Sequence, residues 1–247
     1  MAQQYSKAPV VEAIIDIRVA SPKDILTLDL ADALRHLNAD YPYRELLAPA
    51  PAFQMSSTDG FSAAFGMGSL SEGLRYRNQQ GSHIFQARND GFTLSVLPPY
   101  GTWEEFRAEA IRLWNTYVDA RQPELYTRVA VRYVNRFEIP SKDRPLSEYF
   151  TLFPAFDSQL GHLSDFQTRH QFPQPDLEAN LFLTQATLAP NGNDSSFTSV
   201  LLDIDLFRDK MGQRIEFDVW NLMEQLRERK NLVFESCITE LTRRLIR

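Results

Sequence analysis

The stretch that decides the fold is VVEAIIDIRV, Val10 to Val19. Its odd positions Val11, Ala13, Ile15, Ile17 and Val19 are apolar, and its even positions include Glu12, Asp16 and Arg18. A period of two is that of a strand with one buried and one polar face. The stretch YTRVAVRYVNRFEI, Tyr126 to Ile139, repeats the pattern, with Val129, Val131, Tyr133, Phe137 and Ile139 on one side and Arg128, Arg132, Arg136 and Glu138 on the other. Asn135 interrupts the apolar side, where a buried amide must find hydrogen-bond partners.

What surrounds the two stretches is also similar. After the first, a helix is expected from Ser21 or Asp24 to about Leu37, then a loop punctuated by Pro42, Pro49 and Pro51. Short strands follow at Phe53 to Ser57, Phe61 to Met67, Leu74 to Asn78, Ile84 to Arg88 and Phe92 to Leu97, with turns at Asp59-Gly60, Gln80-Gly81 and Asp90-Gly91. Glycine accepts the positive φ that tight turns demand, so these dipeptides read as hairpins. Thr102 with Glu105 forms a capping box, opening a helix to Ala120 whose stripe of Trp103, Phe106, Ala110, Leu113, Trp114 and Tyr117 should pack on a sheet.

After the second stretch come a short helix near Leu146 to Phe150 and strands at Phe166 to Phe172, Leu177 to Leu188 and Phe197 to Phe207. Helices from about Glu216 to Lys230 and from Asn231 or Phe234 to Ile246 close the chain. The order strand, helix, strands, helix thus recurs after roughly 110 to 120 residues. The expected fold is α+β, with two pseudo-repeated β-α-β(n)-α halves, residues 1–122 and 123–247, sharing one core. Antiparallel sheet with the long helices packed on one face would give a saddle-like or helix-grip-like architecture.

Composition narrows the function. A formal net charge of -6 opposes a general nucleic-acid binder, whose affinity comes from neutralising phosphates. The single Cys237 excludes an internal disulfide and a multi-cysteine zinc site, and its apolar neighbours mark a buried structural thiol. No apolar run is long enough to span a bilayer, and the first residues lack the pattern of a signal peptide, so the cytoplasm is the expected compartment.

Three stretches carry a resemblance: PVVEAIIDIRV, RVAVRYVNRFEIP, and the closing pair SVLLDIDLF and NLVFESCITELTRRL. Together they resemble a sporadically distributed family of bacterial and archaeal proteins of about this length, without an assigned activity. The resemblance implies a product of a scattered, mobile gene that works with a protein partner from a neighbouring gene. It supplies no catalytic residue, and the family's histidine variants of the last helix are not matched at Arg229 or Lys230.

The candidate site is the ionic side of the two leading strands. Arg128, Arg132 and Arg136, with Glu12 and Asp16 opposite, either form a solvated network holding the strands in register or bind a small anionic, nucleotide-like ligand, since guanidinium is a planar fork suited to carboxylate and phosphate. Asp203 and Asp205, two apart, are a weaker metal alternative, under which the same face would be that of a metal-dependent hydrolase of such a ligand. His36, His83, His162 and His170 show no ligand spacing, and Gly66-x-Gly68-Ser69 reads as a hairpin loop. No nucleophile elbow, phosphate loop or dinucleotide fingerprint is present, so no catalytic residue is assigned and no cofactor is expected. The expectation is a binding or accessory protein acting through protein contacts in a multi-component bacterial system, such as defence or toxin control.

Overall fold

A computed structural model describes residues 5–20, 27–47, 72–140, 144–154, 159, 165–188 and 196–247. Among these residues the chain is mixed α and β, with one nine-stranded antiparallel sheet and four α-helices. The strands are β1 (Val10–Ala20), β2 (Tyr43–Leu47), β3 (Gly73–Arg77), β4 (His83–Arg88), β5 (Gly91–Val96), β6 (Leu125–Pro140), β7 (Gln167–Gln174), β8 (Ala179–Leu188) and β9 (Phe197–Arg208). The helices are α1 (Thr27–Ala33), α2 (Trp103–Arg121), α3 (Val219–Cys237) and α4 (Glu240–Ile246).

The strand order is β2-β3-β4-β5-β1-β6-β9-β8-β7, so the two leading strands lie side by side at the centre. Directly opposed residues point to one face of a sheet. The row Tyr76, Phe85, Leu94, Ile15, Val131, Leu206, Leu181 therefore crosses seven strands on one apolar face. Every one of these side chains is buried, in a single cluster with Trp114, Tyr117, Leu222 and Leu226 of the two long helices.

Aromatic contacts join helix to strand. Trp114 and Tyr117 of α2 meet Phe92 edge-on, at centroid distances of 5.6 and 6.2 Å, and Phe234 of α3 stacks on Phe137 at 6.3 Å. The Thr102 hydroxyl accepts from the Glu105 N–H, and the Glu105 carboxylate accepts from the Thr102 N–H, as the capping box requires. Asn135 donates its amide to the Leu202 carbonyl at 3.1 Å, which lets it sit on the apolar side. The Cys237 thiol is buried, and burial pushes it up to about 11.

Several expectations are corrected. A bulge between Val10 and Glu12 turns Val11 to the opposite face, where it packs with Val134, Ala186 and Leu201. The segment after Pro42, expected as loop, is strand β2, at the edge of the sheet among the described residues. The last helices break at Ile238 and Thr239 rather than near Lys230. Ile238 bridges to Phe150, and the Thr239 N–H donates to the Tyr149 carbonyl, so tertiary pairing ends α3 where local propensity gives no stop. The strands expected at Phe53 to Ser57 and Phe61 to Met67, the Asp59-Gly60 turn, Gly66-x-Gly68-Ser69 and His162 lie outside the described residues.

Gly81 has the expected positive φ of 74°, but Gly91 does not need one. It pairs with Arg18, and a Cβ there would lie 2.6 Å from the Ile17 carbonyl oxygen and 2.7 Å from Arg18 Cδ. The glycine leaves room for the Arg18 side chain, linking turn chemistry to the ionic face. Phe92, beside it, is fully buried between β1, α2 and Phe85. Phe92→Ala is expected to lower stability by about 3 to 5 kcal/mol, read from the midpoint of a urea titration at unchanged slope.

Candidate functional site

The face opposite the apolar one carries the ionic residues, and β1, β4, β5, β6 and β9 each contribute. Asp16 lies at the centre. Its carboxylate accepts from Arg128 Nη1 at 2.9 Å across the ladder, from Arg18 Nε at 3.1 Å on its own strand, from Arg88 Nη2 at 3.0 Å and from the Thr93 hydroxyl at 2.7 Å. Arg18 and Arg128 are directly opposed in the pairing of β1 with β6, a like-charge pair that would repel without a carboxylate between them.

Further along β6, Arg132 forms a bidentate pair with Asp203, Nε to Oδ1 at 2.8 Å and Nη2 to Oδ2 at 2.6 Å. Arg128 reaches Asp205 at 3.3 Å, and its guanidinium covers the Phe207 ring at 4.7 Å. Arg136, at the far end, donates to Glu138 and to Ser199, both at 2.8 Å. Glu12 lies on the same face beyond the bulge, where its charge raises the pKa of Arg132 together with the stronger effect of Asp203.

Arg128, Arg132, Arg136, Glu12, Asp16, Asp203 and Asp205 thus stand on one face, but the guanidiniums already hold carboxylates. Burial alone would push the Asp16 carboxyl up; Arg18, Arg128 and Arg88, with the Thr93 hydroxyl, outweigh it and hold the group well below the usual carboxylate range. Asp205 goes the other way: burial raises it, assisted by the neighbouring Asp203 and Asp16 charges, and Arg128 and Arg132 only partly compensate. The Asp203-Asp205 metal alternative gains no third ligand, because among the described residues no group of three or more His, Cys, Asp or Glu side chains gathers.

Arg88 was not legible as a member of the site. It is 2% exposed, donates to Gln86 at 2.6 Å as well as to Thr93 and Asp16, and arrives from β4 through the pairing of β4 with β5. The signal was present only as an arginine ending an apolar strand. A cavity of about 520 Å³ lies elsewhere, lined by Tyr41, Asn78, His83, Glu109 and Arg112; Tyr41 donates to Glu109 at 2.7 Å and Arg112 grips the same carboxylate.

A second group was also missed. Lys230 of α3 sets its Nζ 3.7 Å from the centroid of the Tyr133 ring, and the Tyr133 hydroxyl lies 2.7 Å from that of Tyr100. Burial, with the like charge of Arg227, pushes the Lys230 amine down to about 7. The ring contact opposes this by favouring the ammonium, but a cation over an aromatic face contributes only about 0.5 to 2 kcal/mol, or roughly 1 pH unit. Lys230 continues the stripe Val219, Leu222, Met223, Leu226, and a lysine at a core-facing helical position is the signal that could have marked it.

Compared with known proteins, the chain matches no family model and no curated protein. Among the described residues no helix is long and apolar enough to cross a membrane.

The two carboxylates differ in what their removal should do. Asp16 is held ionised, so its contribution is complete above the unfolded carboxyl pKa of about 3.9 and is lost as pH falls through its lower folded value. Asp205 is raised, so its ionisation works against the fold at neutral pH. Asp16→Asn is expected to cost about 3 to 5 kcal/mol at pH 7, less as the pH drops below about 4, whereas Asp205→Asn costs under about 1 kcal/mol. Urea unfolding of both variants at the two pH values checks the order.

Proposed function

We propose that this chain is a binding or accessory protein that acts through protein contacts in a multi-component, cytoplasmic bacterial system. The reading includes a duplicated construction, residues 1–122 and 123–247, in which β1 and β6 are equivalent, the sheet continues from each as β5-β4-β3-β2 and β9-β8-β7, and α2 and α3 cover one face. The central pairing of β1 with β6 and the strand order on either side support that duplication. A saddle of this kind does not itself define a function.

The observation that carries the reading is where unused binding capacity lies. On the ionic face the arginines are neutralised internally, so an anionic ligand would have to displace Asp16, Asp203 or Glu138. At the sheet rim, β2 is an edge strand among the described residues and exposes Leu46 at 71% and Tyr43 at 51%. An edge strand presents N–H and C=O groups to a further strand, and large apolar side chains beside them favour an incoming chain over water.

The partner is expected to add along β2, with Leu46 and Tyr43 packing against it. Tagged protein should recover a neighbouring gene product at physiological salt, and Leu46→Asp should reduce the recovery by about tenfold or more with the melting temperature unchanged, since an exposed substitution shifts stability by only about 0.5 kcal/mol. Equal recovery by Leu46→Asp would overturn the assignment to this edge. A melting-temperature rise with a nucleotide that disappears in Arg132→Ala would instead favour a ligand on the ionic face.

A further inference from the structure

We propose that Lys230 is a nucleophilic amine that forms a reversible imine with a small carbonyl compound, an aldehyde or ketone, with the Tyr100 and Tyr133 hydroxyl pair acting as its proton relay. The inference does not depend on the protein-contact reading.

The argument begins with what surrounds the amine. Cations are ordinarily buried only when paired with a carboxylate. Lys230 has no salt bridge among the described residues, whereas its neighbour Arg227 has taken the carboxylate of Glu224, at 3.2 Å, and Trp103 Nε1 donates to that same carboxylate at 2.6 Å. The groups beside Lys230 are therefore the Tyr133 ring beneath it and the like charge of Arg227, with the Tyr100 hydroxyl joined to that of Tyr133. Desolvation and a nearby cation, here Arg227, are the two devices by which proteins keep a lysine amine neutral and reactive, and together they outweigh the opposing pull of the Tyr133 ring.

Lys230 has intermediate exposure rather than lying in the closed core, and imine formation requires its amine to be open to a small molecule. The phenols remain protonated, because burial raises both, and their hydroxyls are already hydrogen-bonded to each other. A hydroxyl pair of this kind can donate one proton and take up another without a net change in charge.

The chemistry balances without a further reagent. The Nζ lone pair attacks the carbonyl carbon, a C–N bond forms, and the C=O π pair moves onto oxygen. The oxygen takes a proton from the tyrosine pair as nitrogen gives one up. The carbinolamine hydroxyl then leaves as water, protonated through the same pair, the nitrogen lone pair forms the C=N bond, and the nitrogen returns its second proton to the pair. Amine and carbonyl become imine and water, and nothing is oxidised or reduced.

Reductive ethylation tests it, using acetaldehyde as the carbonyl probe and cyanoborohydride to trap the imine, with each lysine followed by peptide mass spectrometry. The chain has five lysines, Lys7, Lys23, Lys142, Lys210 and Lys230, and Lys7 and Lys210 are exposed comparators. At pH 7 an ordinary lysine amine is neutral in roughly one molecule in 2,500, whereas an amine titrating near 7 is neutral in about half. Lys230 should therefore label at least about tenfold faster than Lys7 and Lys210 even after its partial burial slows access. Its rate should level off above pH 8 while theirs continue to rise. Labelling of Lys230 no faster than theirs in the folded protein overturns the proposal, with urea-unfolded protein showing that all five positions are detectable. Tyr133→Phe keeps the aromatic shelf and removes one hydroxyl; it should slow Lys230 labelling severalfold, with Tyr100→Phe as the second variant if the first fails to fold. An unchanged rate in the folded variant removes the relay from the proposal.

Discussion

The structure depends on the Asp16 carboxylate, where guanidiniums from β1, β4 and β6 converge. The side chain of Asp16 is 13% exposed and that of Arg88 only 2%, and neither charge could be held there alone. Slipping β1 by one residue against β6 would carry Asp16 to the apolar face and leave Arg88 and Arg128 without it. The ionic cluster and the apolar row through Ile15 and Val131 therefore specify the same register. Buried ion pairs add little net stability over apolar replacements, but breaking one is expensive, and that asymmetry gives the register its definition.

The two faces divide the work. The apolar face supplies the burial energy, and the long helices complete it through Trp114, Tyr117 and Phe234. The ionic face is near neutrality because each arginine of the central strands has a carboxylate within reach. Such a face has little field left for an outside anion, which moves attention to the sheet rim at Leu46 and to Lys230, a half-buried cation with no salt bridge among the described residues.

Much of this was readable along the chain. The α2 stripe and its capping box lay where the 3.6-residue period and Thr102 indicated, and the alternation of Arg128, Arg132 and Arg136 placed them together on one face. What misled was local reasoning where distant groups decide. Strand β2 has only its pairing with β3 to define it among the described residues, α3 runs on past Lys230 until Phe150 and Tyr149 intercept the chain, and Gly91 answers to the Arg18 side chain rather than to a turn.

By itself the sequence determined the periods: which residues turn inward, which helices form, and that two strands carry charge on their outer sides. Periodicity is a property of the backbone and needs no knowledge of neighbours. Only the tertiary structure decided that Asp16 would meet Arg88, that each arginine of the central strands would be matched by a carboxylate, and that Lys230 would rest on Tyr133 with none among the described residues. Those outcomes depend on which strands adjoin and on where their residues fall across the ladder, and no local pattern encodes that distance.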